Sequence, residues 1–199
     1  MPSQKRKSLT VNPLLNLIGF LFLFFGLAIA LKIYFPVVKL EIVYQSAKII
    51  PPQTEIAPID QNFSIIIPKI RVNTKVIKNV DPFDSKIYQK ALTEGVAHAK
   101  GSGLPGFPGN TFIFAHSATD WAQANQYNAI FYLTSKLDPG DEIAIYYEGS
   151  KYQYTVTEKK IVNPSEINYL SNNLSTKTLT LMTCWPPGSN LKRLIILAN

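Results

Sequence analysis

The hydrophobic pattern of the chain changes twice along its length. Positions 14–31 read LLNLIGFLFLFFGLAIAL, an apolar run interrupted only by Asn16, and a mixed segment with prolines at 51, 52 and 58 follows. From Phe63 onward, short β-branched or aromatic runs alternate with clusters of Gly, Pro, Asn and Asp. This is the pattern of strands separated by turns. The chain is therefore predicted to contain one apolar helix, a linker and a mostly β domain.

The apolar run is long enough to cross the roughly 30 Å hydrocarbon core of a bilayer as a helix. Lys5-Arg6-Lys7 precedes it without any acidic residue, which predicts a cytoplasmic N-terminus and an exported C-terminal part. Two alternatives compete with this signal anchor. Ala28-Ile29-Ala30 resembles the cleavage site of a signal peptide, and a buried core helix can be as apolar, although this one has no polar face to show to water.

The strand-like runs after Phe63 predict a mostly β barrel or sandwich with short helices. Helical pattern is confined to Ser85–Leu92 and to a stretch near 129–135, and residues 148–151 are predicted to turn a hairpin. We expect residues 1–12 in the cytoplasm, a transmembrane anchor at 13–35, a juxtamembrane linker with a short helix at 36–62, and one domain at 63–199. The predicted strands are FSIIIPKI, KVIKNV, NTFIFAH, DEIAIYYEG, KYQYTVTEKKIV, TLTLMTC and RLIILAN.

The charge distribution argues against a nucleic-acid-binding function, and the cysteine content excludes an intramolecular disulfide. The formal net charge is +7, but Lys5-Arg6-Lys7 and Lys32 supply four of these charges and every acidic residue lies after position 35. The exported part is only weakly basic, with scattered lysines and no nucleic-acid-binding motif, so no nucleic-acid partner is expected. Cys184 is the single cysteine of the chain. An intramolecular disulfide is therefore impossible, even in an exported domain where disulfides could persist.

Cys184 and His116 occupy similar places in the pattern. Cys184 ends the strand-like run 178–183 and precedes Trp185-Pro186-Pro187-Gly188, while His116 ends the run 111–115 and precedes a polar segment. A lone cysteine is often only a small buried hydrophobic residue. A nucleophilic thiolate, however, needs partial exposure and a nearby base or cation. Two strand ends that offer a cysteine and a histidine at a barrel rim fit that requirement.

Two further residues are candidates for the same chemistry. His98 is a competing base, but it follows a glycine-bounded segment rather than a long strand, and we interpret it as a structural loop histidine. Arg193 opens the last apolar run, nine positions after Cys184. A hairpin between the two would bring the guanidinium opposite the thiol. The alternative for Arg193 is an ordinary solvated charge at a strand end.

Thr180-Leu181-Met182-Thr183-Cys184 resembles the TLxTC motif of sortases, the transpeptidases of bacterial cell surfaces. The loop from Cys184 to Arg193 resembles the cysteine-to-arginine loop of that family. Three other segments resemble the family in the same order along the chain, and the resemblance covers roughly residues 63–199. These segments are Ile67-Pro68-Lys69-Ile70, Leu104-Pro105-Gly106 with Gly109-Asn110, and LDPGDEI at 137–143.

The chain departs from the family pattern in two places. Many sortases carry Gly-His where this chain has Ala115-His116. Asp81-Pro82-Phe83 is similar to the aromatic lid motif of pilus-building sortases, but it follows the strand at Ile67–Ile70 instead of preceding it. We interpret it as an ordinary turn. The subclass implied by the resemblance is D/E-like or C-like.

The resemblance implies a closed eight-stranded barrel behind a single-pass membrane anchor, with the catalytic domain outside the bacterial cell membrane. It also implies a two-step acyl transfer. Cys184 would attack a Leu-Pro-x-Thr-Gly-like sorting signal, His116 would donate and accept the proton, and Arg193 would stabilise the oxyanion or hold the substrate. The partners would be surface proteins with a C-terminal sorting signal and an amine acceptor, either a peptidoglycan precursor or a pilin lysine. This chemistry requires no metal and no cofactor.

Two other functions remain open from the residues alone. A hydrolytic cysteine peptidase would use the same three side chains and let water resolve the thioester. A non-catalytic, membrane-tethered β domain would be expected to lack the cysteine, the histidine or the arginine, and all three are present. The transpeptidase is therefore the function that the sequence predicts.

Overall fold

The computed structural model describes residues 13–49, 56–117, 130–170 and 176–199. The chain divides into two compact units, Met1–Pro36 and Val37–Asn199. The first unit contains the whole apolar run, and the second contains the β domain together with the end of the first helix. Ala129, at the start of one predicted helical stretch, lies outside the described residues.

Helix α1 runs over Pro13–Ile49. Its segment Pro13–Lys32, 20 residues with a mean hydropathy of 2.6, is long and apolar enough to cross a membrane by length and composition. None of that segment is buried against other parts of the chain that the structure describes. The helix continues beyond residue 36, so the first part of the predicted juxtamembrane linker is helical.

The described residues of the second unit form a closed eight-stranded barrel with the strand order β1-β2-β3-β4-β7-β8-β6-β5. This confirms the mostly β, eight-stranded barrel with short helices. The elements are β1 Phe63–Ile67, β2 Val72–Val80, α2 Ser85–Leu92, β3 Val96–Ala99, β4 Gly109–Phe114, β5 Glu142–Tyr147, β6 Ser150–Val162, β7 Lys177–Trp185 and β8 Lys192–Ala198, with the short 3-10 helices η1 Pro68–Ile70, η2 Tyr132–Lys136 and η3 Ile167–Leu170.

Two parallel strand pairs determine which strand ends meet at the same rim. β2 pairs with β3 in parallel, and β4 pairs with β7 in parallel. A parallel pair needs a crossover connection, which α2 supplies between β2 and β3. Asp84 caps this helix by accepting hydrogen bonds from the backbone N–H groups of Lys86 and Ile87, donors that a helix start otherwise leaves unpaired.

The hydrophobic core, which covers both faces of the barrel wall, is formed by aliphatic and aromatic side chains. Several are completely withdrawn from solvent, at most 1% exposed, and burial of each such side chain contributes about 1.5–3 kcal/mol before entropy is counted. They come from strands on all sides of the barrel, which is why the domain needs no covalent staple to form a core. Examples are Ile65, Phe112, Ile113, Ile143, Leu181 and Ile196.

Local predictions were confirmed in most places. Residues 85–92 form the predicted helix. The β5–β6 hairpin turns at Glu148 and Gly149, whose φ angles of 49° and 79° are those of a type I′ turn. The predicted helical stretch near 129–135 is a 3-10 helix in its described part. Strand β3 was missed, because four residues with two alanines carry little β propensity of their own.

Candidate active site

The ends of β4 and β7 lie side by side at one rim of the barrel. Their parallel register pairs Phe114 with Met182, and the backbone N–H of Ala115 donates to the carbonyl of Met182 over 3.2 Å. Parallel neighbours end at the same edge of a sheet, so His116 and Cys184 reach the same rim. This juxtaposition joins residues that are 68 positions apart in the sequence.

Strand β8 brings Arg193 to the same place. In the antiparallel β7–β8 ladder, Cys184 and Arg193 are directly opposed. Directly opposed residues project to the same face of a sheet with their Cβ atoms about 4.5–5.5 Å apart. Because side chains alternate along a strand, Cys184 also shares its face with Met182.

The guanidinium of Arg193 is held by the loop that connects the two strands. Its Nη1 donates to the main-chain oxygens of Asn190 and Lys192, each over 3.1 Å. Both bonds use one nitrogen of a group that has five N–H donors. A ligand can therefore be bound by the same guanidinium while the loop holds it.

A pocket of about 150 Å³ opens at this rim, and Cys184, His116 and Arg193 all line it. Cys184 is partly exposed, as a nucleophile that must meet a substrate needs to be. The rest of the wall is mostly apolar. It is formed by Pro82, Tyr88, Leu92, Phe114, Ala115, Met182 and Thr183.

A buried hydroxyl ties the two strand ends together next to the pocket. Thr183 donates from Oγ1 to the main-chain oxygen of Ala115 over 2.8 Å, and Thr183 is only 3% exposed. A buried hydrogen bond of this kind contributes about 1 kcal/mol, and leaving its acceptor unpaired costs more. The bond joins the residue before Cys184 to the residue before His116.

His98 lies in strand β3, so its predicted place in a loop was wrong, because Ala97 and His98 pair with Phe114 and Ile113 of β4. The ring is 2% exposed. Its Nδ1 accepts from the backbone N–H of Asn79 over 3.2 Å, and its Nε2 donates to the carbonyl of Gly103 over 3.0 Å. Burial lowers the pKa of His98 below its usual value of 6.5, and the nearby Lys78 charge lowers it further, while the Gly103 carbonyl raises it. His98 does not line the pocket with Cys184.

Sequence reasoning did not assign the apolar wall of the pocket to the site. Tyr88 and Leu92 of α2 are four positions apart, a spacing that places both on one face of a helix and could have indicated a shared surface. Tyr88 packs edge-on against Phe114, with 6.3 Å between the ring centroids. Pro82 also borders the pocket, within the Asp81–Phe83 segment.

The Asp81–Phe83 segment is a turn, as the sequence predicted. The Asp81 side chain accepts a hydrogen bond from the backbone N–H of Phe83 over 3.0 Å, the arrangement of an Asx turn. Phe83 is 75% exposed and is not among the pocket residues. Its neighbour Pro82 contributes to the wall instead.

No group of three or more potential metal ligands occurs among the residues that the structure describes. The carboxylates of Asp138 and Asp141 form ion pairs with lysines. Lys69 lies 2.8 Å and 2.7 Å from their carboxylates, and Lys159 lies 3.3 Å from Asp138. The hydrogen bonds from Lys69 and Lys159 lower the pKa of Asp138.

Comparisons with known proteins agree with the barrel fold. A family model described as "Sortase domain" matches residues 65–199. The chain is 26% identical over 133 residues to sortase D of Bacillus subtilis, covering 65% of this chain and 59% of that protein. It therefore spans about three fifths of the length of this curated relative.

Two solved structures are similar to this chain in their three-dimensional fold. A sortase D5 transpeptidase of Clostridium perfringens superposes with a TM-score of 0.57 and 26% identity, covering 84% of this chain and 94% of that one. A sortase C of the same organism, solved with the C-terminal cell wall sorting motif, gives a TM-score of 0.56 and 25% identity, covering 68% of this chain and 67% of that one.

Proposed function

Because this chain belongs to the sortase family, we propose that it is a cysteine transpeptidase that transfers a sorting-signal peptide from its own thiol to an amine. The observation that supports this most directly is the convergence of Cys184, His116 and Arg193 on one pocket. A thiol, a titratable imidazole and a permanent cation are the three groups that this acyl transfer needs.

The first step is attack by the Cys184 thiolate on the threonine carbonyl of a Leu-Pro-x-Thr-Gly-like signal. A bond forms between sulfur and the carbonyl carbon, and the bond from that carbon to the glycine nitrogen breaks. The protonated imidazole of His116 gives its proton to the departing amine. The product is an acyl-thioester on Cys184 and a released peptide with a free amino terminus.

The second step reverses these roles. An incoming amine attacks the thioester carbonyl, and the now neutral His116 accepts a proton from the amine. The new carbon–nitrogen bond replaces the carbon–sulfur bond, and Cys184 leaves as the thiolate with which the cycle began. The net result exchanges one amide for another, so no oxidant, reductant or added energy source is needed.

Arg193 stabilises the tetrahedral intermediates of both steps or holds the substrate backbone. Charge develops on the carbonyl oxygen in each intermediate, and a guanidinium donates to it without losing its own proton. The carbonyls of Asn190, in the β7–β8 loop, and of Lys192, the first residue of β8, hold Nη1 and keep the group oriented before substrate arrives. The apolar wall formed by Leu92, Phe114 and Met182 suits the leucine and proline of such a signal.

The apolar segment of α1 anchors the enzyme in the bacterial cell membrane, with the catalytic domain at 63–199 outside. The charges at positions 5–7 favour this orientation. Both substrates then lie on the same side as the active site: surface proteins with a C-terminal sorting signal, and an amine of a peptidoglycan precursor or a pilin lysine. Protease added to intact cells should digest the domain, and full protection of it would contradict this topology.

The activity is tested with the full chain in detergent, a Leu-Pro-x-Thr-Gly peptide and a separate amine. Intact mass spectrometry should show an acyl adduct on wild type and none on Cys184→Ala, and product analysis should show the peptide joined to the amine. Release of only the hydrolysed peptide, even at high amine concentration, would identify a hydrolytic peptidase. No adduct and no cleavage with any sorting-signal peptide would contradict an enzymatic role.

A further inference from the structure

The main chain of His116 is fixed on both sides. On one side, the carbonyl of Ala115 accepts the hydrogen bond from Thr183 of β7. On the other side, the carbonyl of His116 itself accepts a hydrogen bond from the backbone N–H of Phe131 over 3.3 Å. The position of the imidazole relative to Cys184 therefore depends on where the segment beginning at Phe131 lies.

That segment is packed as a unit. Phe131 is completely buried, and its carbonyl accepts from the Thr134 hydroxyl over 2.6 Å at the start of η2. At the other end of η2, Lys159 of β6 donates to the main-chain oxygens of Ser135 and Leu137 over 2.8 Å and 2.7 Å. A shift of η2 would therefore be transmitted to Phe131 and to the hydrogen bond with His116.

The last turns of α1 contact the end of η2 through Lys136. This part of the helix belongs to the same compact unit as the barrel. Tyr44 is only 5% exposed and is part of the hydrophobic core. The Lys136 ammonium, at the end of η2, lies 5.6 Å from the centroid of the Tyr44 ring and 3.4 Å from a carboxylate oxygen of Glu41.

Tyr44 and Glu41 form one contact face because they are three positions apart on the helix. Ile42, one of the two residues between them in sequence, is 62% exposed. Burial of an aromatic ring under a lysine ammonium combines apolar contact with a cation–π interaction. The helix thus contacts η2 through the side chains of Tyr44 and Glu41, which both reach Lys136.

We propose that Tyr44 and Glu41 are positioning residues for the reaction, because through Lys136 and η2 they hold the Phe131–His116 hydrogen bond and thereby the distance from His116 to Cys184. This inference rests on the proposed function. It gives Tyr44 and Glu41 a role in positioning the base in addition to any role of α1 as a tether. Displacement of a proton-transfer group by about 1 Å is enough to cost on the order of 10² in rate.

The test compares Tyr44→Ala with the matched control Ile42→Ala, which shortens an exposed side chain of the same helix. Both are made in the full chain in detergent and assayed for amine-dependent transfer. Tyr44→Ala is expected to lower kcat by roughly 10- to 100-fold, with KM for the peptide changed less than about threefold. Ile42→Ala is expected to keep wild-type values.

The rate of Cys184 alkylation as a function of pH is a second measurement, and it distinguishes a positioning role of Tyr44 from a purely structural one. Cys184 is the only cysteine, so its alkylation by iodoacetamide counts active sites and its pH–rate profile reports how closely the thiol is coupled to its base. Tyr44→Ala should alkylate stoichiometrically but with a profile shifted from that of wild type. If the alkylation profile and kcat per titrated site are unchanged, the proposal is overturned.

Two further variants keep the test decisive if Tyr44→Ala does not fold. Glu41→Lys should reduce kcat about two- to threefold, in proportion to the loss of one exposed ion pair. Adding Lys136→Glu should restore part of this loss, because it re-forms the ion pair in reverse but not the cation–π contact with Tyr44. Failure of the second charge change to rescue the first would count against the proposal. An inactive wild-type chain would instead refute the proposed function, while the alkylation profiles would still test the coupling between Tyr44 and the site.

Discussion

Cys184 and Arg193 are directly opposed in the antiparallel β7–β8 ladder, so the thiol and the guanidinium project from the same face of the barrel wall. The register of a hairpin fixes this relationship, not the conformation of a loop. His116 is added by a second ladder, the parallel pairing of β4 with β7. The candidate site is therefore built on two strand pairings at one rim, and its parts can be tested separately.

We expect Cys184→Ala to abolish acyl transfer and His116→Ala to reduce it by about 10²–10⁴-fold, the range for loss of a general acid–base group. Cys184 lies next to the end of β7 and His116 just beyond the end of β4, and both line the pocket at the rim. Truncation should therefore leave melting temperatures close to that of wild type. His98→Gln should retain most of the activity. Activity in His116→Ala combined with inactivity in a folded His98→Gln would reverse the assignment of the base.

Arg193→Lys should be nearly as harmful as Arg193→Ala, with each losing about 10²–10³ in kcat. An ammonium cannot reproduce the planar fork of donors that binds a carbonyl oxygen while keeping the two loop carbonyls satisfied. Lys192→Met is the matched control, since it removes the neighbouring cation whose ammonium bonds to the side chain of Asn163. Near wild-type kinetics in Arg193→Lys would show that only the charge matters.

His98 should make the stability of the domain depend on pH. Its pKa is lower in the folded chain than its unfolded value of 6.5, so the unfolded state takes up the proton first as pH falls. The free energy of unfolding should be unaffected by this group above about pH 7.5 and should decrease as pH falls from about 6.5 toward the folded-state pKa. Protonation of His98 at Nδ1 would also place a ring N–H against the backbone N–H of Asn79, which donates to that nitrogen in the folded structure.

The measurement is urea unfolding of wild type and His98→Gln at pH 7.5 and pH 5.5. The variant should be less stable at pH 7.5 by about 1–2 kcal/mol, and the difference should shrink at pH 5.5. Carboxylate titrations are shared by both proteins and cancel in the comparison. A difference that stays constant or grows at pH 5.5 would contradict the lowered pKa of His98.

Chelator and reductant should each leave the melting temperature of the domain unchanged within about 1 °C. A single cysteine cannot form an intramolecular disulfide, and Lys69 and Lys159 already neutralise Asp138 and Asp141. Lys69→Met should instead lower the melting temperature by a few degrees, as expected for the loss of roughly 1 kcal/mol from partly exposed ion pairs. A large drop with chelator in the wild type would reveal a bound cation.

The sequence determined a large part of the fold by itself. Alternation of apolar and polar positions predicts most of the strands, because a side-chain period of two matches one buried face. The turn at Glu148-Gly149 is indicated by Gly149, which accepts positive φ, although Glu148 adopts positive φ without belonging to the favoured residue types. The helix at 85–92 has both an acidic cap and its own periodicity. Strand β3 had no such local signal, and its strand geometry comes from pairing with β2 and β4.

For the site, the sequence identified the candidate residues, and the tertiary structure determined which of them lie close together: Cys184, His116 and Arg193 line one pocket, and His98 does not. Cys184 and Arg193 are close in sequence, so hairpin register suffices to predict that they are opposed. The approach of His116, the burial of His98 in a hydrogen-bonded niche, and the apolar wall from α2 all depend on pairings and packing between distant segments. The contact of Tyr44 with η2 has the same origin, because local propensity cannot specify which surface a helix face will cover.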